Sequence, residues 1–160
     1  MTRFFLSLVM MLALLLPGIS RADAPIVTVS GLTDKTTNGP VAFDLSQFEA
    51  IGMTEIVTKT PWHETATTFS GVSGKDLHVY LGITGTELDA VALNDYKVTV
   101  PVSDLLETGL IFATRKNGTP MSVREKGPIF IIYPFDANPD LNNEVIYGRS
   151  IWQLKELRVK

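Results

Sequence analysis

A chain of 160 residues that is 45% hydrophobic and 19% charged, with a formal net charge of −3, has the length of one domain and too much apolar content for disorder. It contains no cysteine, which excludes a disulfide framework, a thiolate zinc or iron–sulfur site and a cysteine nucleophile. The mean hydropathy of +0.18 is raised by one end of the chain.

That end comes first. Arg3, the 13-residue apolar run 4–16, a Pro17-Gly18 break and small residues at Ser20, Ala22 and Ala24 read as a cleavable export signal, because a spanning helix needs ~20 apolar residues. Cleavage fits after Ala22 or after Ala24. Ala22 is preferred, since the second point leaves Pro25 at the new N-terminus, and its constrained backbone suits a protease groove poorly. The expected organisation is a signal peptide at 1–22 and one exported domain at 23–160. Losing Arg3 and Arg21 reduces the 14 basic residues to 12 against 17 acidic ones, a formal charge of −5. That opposes nucleic acid as a partner, which needs a basic face. No later run approaches spanning length, so the cleaved domain is not expected to cross a membrane.

Residues 26–29 and 41–43 read as short strands. Ser46 is the expected cap of a helix through Phe48 and Ile51, stopped by Gly52. Residues 55–60 and 65–69 are rich in β-branched side chains and read as strands separated by Pro61-Trp62-His63. Ser73 can cap a helix with Asp76 at its N3 position, Leu77, Tyr80 and Leu81 inward, and Gly82 as the stop. Residues 88–93 and 96–100 read as two more strands, and Ser103 as the cap of a helix burying Leu105 and Leu106 and ended by Gly109. Residues 110–115 and 119–123 flank Asn117-Gly118, a hairpin turn in which both residues tolerate positive φ. The continuous apolar run 129–133 predicts a central strand. A polar loop over 136–143 follows, and the chain closes on an apolar segment, 151–159. Short strands and three short helices out of strict alternation predict an α+β fold with a mixed, largely antiparallel sheet.

Familiar catalytic motifs are absent: there is no nucleophile elbow, dinucleotide fingerprint or phosphate-binding loop. His63 and His78 are the two histidines, on different elements, which disfavours a histidine metal cage. Asp136-Ala137-Asn138-Pro139-Asp140 starts like a calcium loop but has Leu141 where glycine is required and Tyr147 where a glutamate should close the shell. Asn117-Gly118-Thr119 matches a glycosylation sequon, but the hairpin turn accounts for it more simply. What remains is a set of aromatic and polar residues at strand ends: Trp62 and His63, Asn94-Asp95-Tyr96, and Arg115, Arg124 and Arg149. Together they suit a flat polar heterocycle, with stacking on its face, pairing on its edge and a guanidinium for its tail. Each also has a plainer role: Trp62 as a packing aromatic, Asn94-Asp95 as a turn, Arg149 as a solvated cation or carboxylate partner. Tyr133 and Trp152 are assigned to the core.

The segments Ala92-Leu93-Asn94-Asp95-Tyr96, Phe112-Ala113-Thr114-Arg115-x-Asn117-Gly118, Gly127-Pro128-Ile129-Phe130-Ile131-Ile132-Tyr133-Pro134-Phe135-Asp136 and Arg149-Ser150-Ile151-Trp152-Gln153-Leu154, with Phe69-Ser70-Gly71-Val72 before a helix, resemble one family in order. It is the small exported branch of the molybdopterin-binding oxidoreductase domain family, of sulfite oxidase fold. In that fold a cysteine thiolate near residues 57–60 ligates molybdenum; this chain has Thr58, Lys59 and Thr60 there. A hydroxyl cannot replace a soft thiolate, although the cofactor's own dithiolene could still hold the metal. The resemblance is closest to periplasmic pterin-binding regulators of the PruR type, which report pterin status to an inner-membrane receptor controlling cyclic di-GMP turnover. It implies a non-catalytic pterin binder, its ligand of tetrahydropterin type, held by Trp62, His63, Asn94, Asp95, Tyr96, Arg115 and Arg149. The ring would stack on Trp62, pair with Asp95 or Asn94 and direct its side chain to Arg115 or Arg149. The alternative it implies is a molybdopterin oxidoreductase lacking the usual cysteine ligand.

Overall fold

The computed structural model describes residues 23–160, so the export signal expected at 1–22 lies outside the described residues. Two sheets organise the domain. The first holds β1 (Val27–Gly31), β2 (Val41–Phe43), β5 (Glu87–Ala92), β6 (Lys97–Pro101) and β10 (Leu154–Val159) in the order β2-β1-β10-β5-β6. The second holds β3 (Thr54–Thr60), β4 (His63–Ser73), β7 (Ile111–Lys116) and β8 (Thr119–Pro120) in that order, with β9 (Phe130–Ile132) also paired to β7. The β1–β10 pair is parallel; the other pairings are antiparallel. Short helices α1 (Leu45–Glu49), α2 (Gly74–Leu81), α3 (Val102–Glu107) and α4 (Glu144–Arg149) fill the gaps. The result is the mixed, mostly antiparallel α+β fold predicted from the strand pattern. No helix of the described residues is long and apolar enough to cross a membrane.

The local rules explain most of these elements. Ser73 accepts a hydrogen bond from the Asp76 backbone N–H at 3.0 Å, and Gly82 closes α2 in the left-handed region at φ +62°. Asn117 and Gly118, with φ of +50° and +79°, turn β7 into β8. At Gly71 the chains approach so closely that a Cβ would lie 2.1 Å from the Phe112 carbonyl oxygen, so only glycine fits there. One hydrophobic core runs between the first sheet and α1, α2 and α3, and a smaller one joins Phe69, Ile111, Ala113, Met121, Phe130 and Ile132.

Several details differ from expectation. The α1 cap is Asp44, which accepts the Gln47 N–H at 2.8 Å while the Gln47 side chain reaches back; Ser46 merely donates its hydroxyl to the Asp44 carboxylate. The earlier residue wins because it completes a reciprocal capping box. No side chain caps α3; Pro101 precedes it, and Ser103 lies within the helix. Tyr80 and Leu106 are exposed, because two-turn helices bury a stripe too narrow for every apolar position. The run expected to be central, β9, pairs with β7 alone, and its other side is closed by the Ile131 N–H bonding to the Ile151 carbonyl at 3.0 Å. It is buried by a loop rather than by a strand. The segment after the acidic loop carries α4, which the sequence pattern did not announce.

Candidate functional site

The hairpin turn Pro61-Trp62 between β3 and β4 is fastened at several points. The Trp62 N–H donates to Thr60 Oγ1 at 3.2 Å, and Thr60 Oγ1 shares a hydrogen bond with His63 Nδ1 at 2.9 Å. Below them, the Asp136 N–H donates to Thr58 Oγ1 at 3.0 Å and the Lys59 N–H donates to the Asp136 carboxylate at 2.9 Å. The acidic loop is therefore a splint for the turn. It leaves the Trp62 indole edge-on to Trp152, Phe130 and Tyr147, with ring centroids 5.3, 5.5 and 6.5 Å away.

All of these rings except the buried Phe130 wall a cavity of about 400 Å³. Trp62, Tyr96, Tyr147 and Trp152 supply its aromatic surface, and Asn94, Gly148 and Ser150 also line it. Three regions meet here: the β3–β4 turn, the β5–β6 turn and the stretch from α4 to β10. In the β5–β6 turn Asn94 Oδ1 accepts the Tyr96 N–H at 3.1 Å, which orients the amide of this cavity residue. Asp95 takes a left-handed conformation, φ +66°, and its exposed carboxylate pairs with Lys155, whose ammonium holds it below the usual carboxylate range.

Of the residues named from the sequence, the cavity thus brings together Trp62, Asn94 and Tyr96. His63 lies beside it, packed against Phe69 at 5.4 Å; burial first, then the Lys116 and Lys126 cations, push its pKa down. Asp95 turns toward Lys155. Arg115 lines no part of the cavity: its Nε and Nη2 make a two-pronged contact with Glu49, each at 2.8 Å, and Thr114 donates to the same carboxylate at 2.7 Å. Burial raises the Glu49 pKa, but the Arg115 and Thr114 hydrogen bonds outweigh it and leave the carboxyl below its ordinary range. Arg149 sits between two cavity residues, yet its Nη1 donates to Asp104 Oδ2 at 2.9 Å. Arg124 is exposed.

Tyr147, Gly148, Ser150, Ile151 and Trp152 also line the cavity and were not singled out. Trp152, assigned to the core, is half-buried and walls the cavity instead; the Lys126 ammonium lies 4.2 Å over its ring. Tyr133 does lie fully in the core. The usable signal was two large aromatics, Tyr147 and Trp152, around Gly148 in a stretch without apolar periodicity.

This architecture resembles the fold of a molybdopterin oxidoreductase domain of the sulfite oxidase type. Among solved structures, the sulfane dehydrogenase SoxCD from Paracoccus pantotrophus matches with a TM-score of 0.58 at 14% identity, over 83% of this chain and 37% of that one. The chain therefore spans well under half the length of that protein. No protein-family model matches the sequence, and no curated protein does.

The side chains present fit one part of a molybdopterin better than the other. Flat aromatic walls and an amide suit a pterin ring. At the position where the resemblance places a metal-binding thiolate, the Thr58 hydroxyl donates to the Lys59 carbonyl at 2.9 Å and accepts from Asp136, and Thr60 is engaged with His63. Hard, weakly acidic hydroxyls that are already hydrogen-bonded do not fit a soft-metal site. The described residues contain no group of three or more His, Cys, Asp or Glu side chains that could hold a metal ion.

Proposed function

We propose that this chain is an exported, periplasmic pterin-binding protein that does no redox chemistry itself and relays pterin status to the periplasmic domain of an inner-membrane receptor, of the kind that controls cyclic di-GMP turnover. The observation that carries the binding step is the cavity: about 400 Å³ bounded by Trp62, Tyr96, Tyr147 and Trp152, within the ~300–1,000 Å³ range of small-molecule sites. A bicyclic ring enters it with a face against an indole and its amino-pyrimidinone edge toward the Asn94 amide. The relay step and the location rest on the export-type N-terminus and on the resemblance to PruR-type regulators.

The test is to express the full chain with its first 22 residues, recover it from the periplasm, and extract what it carries. A blue-fluorescent pterin without molybdenum supports the proposal. Stoichiometric molybdenum sinks it and favours an oxidoreductase working without a protein thiolate. An empty protein that shows no thermal shift with tetrahydrobiopterin or oxidised pterin also sinks it, because a ligand at ~100 times its Kd stabilises by ~2.7 kcal/mol.

A further inference from the structure

A polar triad of two buried residues, Asp104 and Tyr133, and the half-buried Arg149 adjoins the cavity through the chain neighbours of Arg149, Gly148 and Ser150. Asp104, on α3, is buried, and one of its carboxylate oxygens, Oδ2, accepts two hydrogen bonds: from the Tyr133 hydroxyl at 2.8 Å and from Arg149 Nη1 at 2.9 Å. Tyr133 is fully buried. Burial, then the Asp104 charge, pushes its pKa far up, so it remains a neutral donor. Arg149 is the last residue of α4, the six-residue helix that carries Tyr147 and Gly148 and runs into Ser150, Ile151 and Trp152.

So short a helix has little stability of its own. Its N-terminus is held by Asn143, whose side chain accepts the Val145 and Ile146 N–H groups, each at 3.1 Å. At its C-terminal end the ion pair to Asp104 fixes it to the core. A charged guanidinium is also favourable at a helix C-terminus. Ile146 and Ile151 seat this segment in the main core, and the contact of Arg149 with a buried carboxylate adds a directional tether at the helix end.

We infer that Asp104 is a positioning residue of the cavity: through Arg149 it holds the end of α4 at the place that sets Tyr147 and Trp152 opposite Trp62. The inference deepens the pterin-binding proposal and rests on it for the ligand, but not for the geometry. Asp104 touches no ligand. Arg149 meets Asp104 through Nη1.

The chain has two tryptophans, and both line the cavity, so indole fluorescence, excited selectively beyond the absorption of the tyrosines, reports on this place. Asp104→Asn and Arg149→Ala are compared with Asp89→Asn. Asp89 is a buried carboxylate of the first sheet, paired with Lys97 and Lys160 and accepting the Thr99 hydroxyl at 2.9 Å. Asp104→Asn and Arg149→Ala are expected to raise the acrylamide quenching constant of the indoles about twofold by loosening this segment. Each should also weaken oxidised pterin about tenfold, the scale of one lost charge-assisted hydrogen bond. The double variant should do no more than either alone, because the two residues act as one unit. Asp89→Asn should lower the melting temperature and leave quenching and binding unchanged, which separates positioning from general destabilisation. Arg149→Ala removes the more exposed partner, so the test stands if Asp104→Asn does not fold. Wild-type quenching and wild-type pterin affinity in a folded Arg149→Ala protein overturn the inference. Raised quenching in both variants of a protein that binds no pterin at all retains the positioning role and discards the ligand.

Discussion

Two groups of aromatic rings in this domain have the same chemistry and opposite surroundings. Tyr133 and Phe135 meet at 6.2 Å inside the main core, each at most 1% exposed, and the Tyr133 hydroxyl has its acceptor in Asp104. Trp62 meets Trp152 and Tyr147 edge to face around a space, each of the three remains half-buried, and Tyr147 links them to the first group through Phe135 at 5.6 Å. The first group is finished by folding. The second is braced by the Asp136 splint, the Asp104–Arg149 pair and the fully buried Phe130, and it leaves flat apolar surface around the cavity, where the proposed pterin would stack. Such surface costs stability in the free protein and returns it on binding.

Three substitutions sharpen that contrast. Phe112→Ala, in the main core at 1% exposure, should lose ~3–5 kcal/mol of stability and lower the melting temperature by roughly 10 °C or more. Pterin affinity, measured below the new transition, should hold. Trp62→Ala should behave in the opposite way, with pterin weakened about ten- to a hundredfold, as for loss of one stacking partner worth ~1–3 kcal/mol, and a stability loss well below that of Phe112→Ala. If calorimetry instead shows Trp62→Ala losing as much as the core variant, the two aromatic groups are one, and the cavity is only a packing fault. Arg115→Ala comes third. It breaks the contact with Glu49 and should cost about 1 kcal/mol or less, being partly exposed, while a fluorescence titration with pterin stays at the wild-type value.

The same contrast explains what could be read from the sequence. Strands with β-branched residues, the Ser73 and Gly82 helix signals and the Asn117-Gly118 turn depend on neighbours in the chain, so they were legible. Strand order, with β10 inserted in parallel beside β1, was not, because nothing local specifies it. In the site, Trp62, Asn94 and Tyr96 stood out since they interrupt strands. Trp152 did not, because an indole after Ile151 looks the same in sequence whether it packs on Leu154 or walls a cavity. The arginines show the limit most clearly. Arg115 and Arg149 carry the right chemistry for an anionic tail, but their carboxylate partners, Glu49 and Asp104, are 66 and 45 residues away, and only the tertiary fold reveals that each guanidinium is paired with a carboxylate.

The smallest expected effect is a dependence on pH. His63 supports the Trp62 turn through Thr60, and burial, aided by the Lys116 and Lys126 cations, holds its pKa below the ordinary value of 6.5. In the unfolded chain that restraint is gone. Between the two values the unfolded state binds more protons than the folded one, so stability rises with pH through this window and falls as the solution is acidified below about 6.5. Chemical denaturation at a series of pH values from 7.5 downward should show this slope, and His63→Gln, which cannot take up a proton, should lack the His63 share of it. The carboxyl of Glu49, held low by Arg115, contributes a separate loss only once the pH falls below its own unfolded value of about 4.5, so the two are resolved on the pH axis. Because His63 is only half-buried, its slope should be shallow. A wild-type and His63→Gln pair with the same slope between pH 7 and 5 would place the imidazole in solvent and detach it from the Trp62 turn.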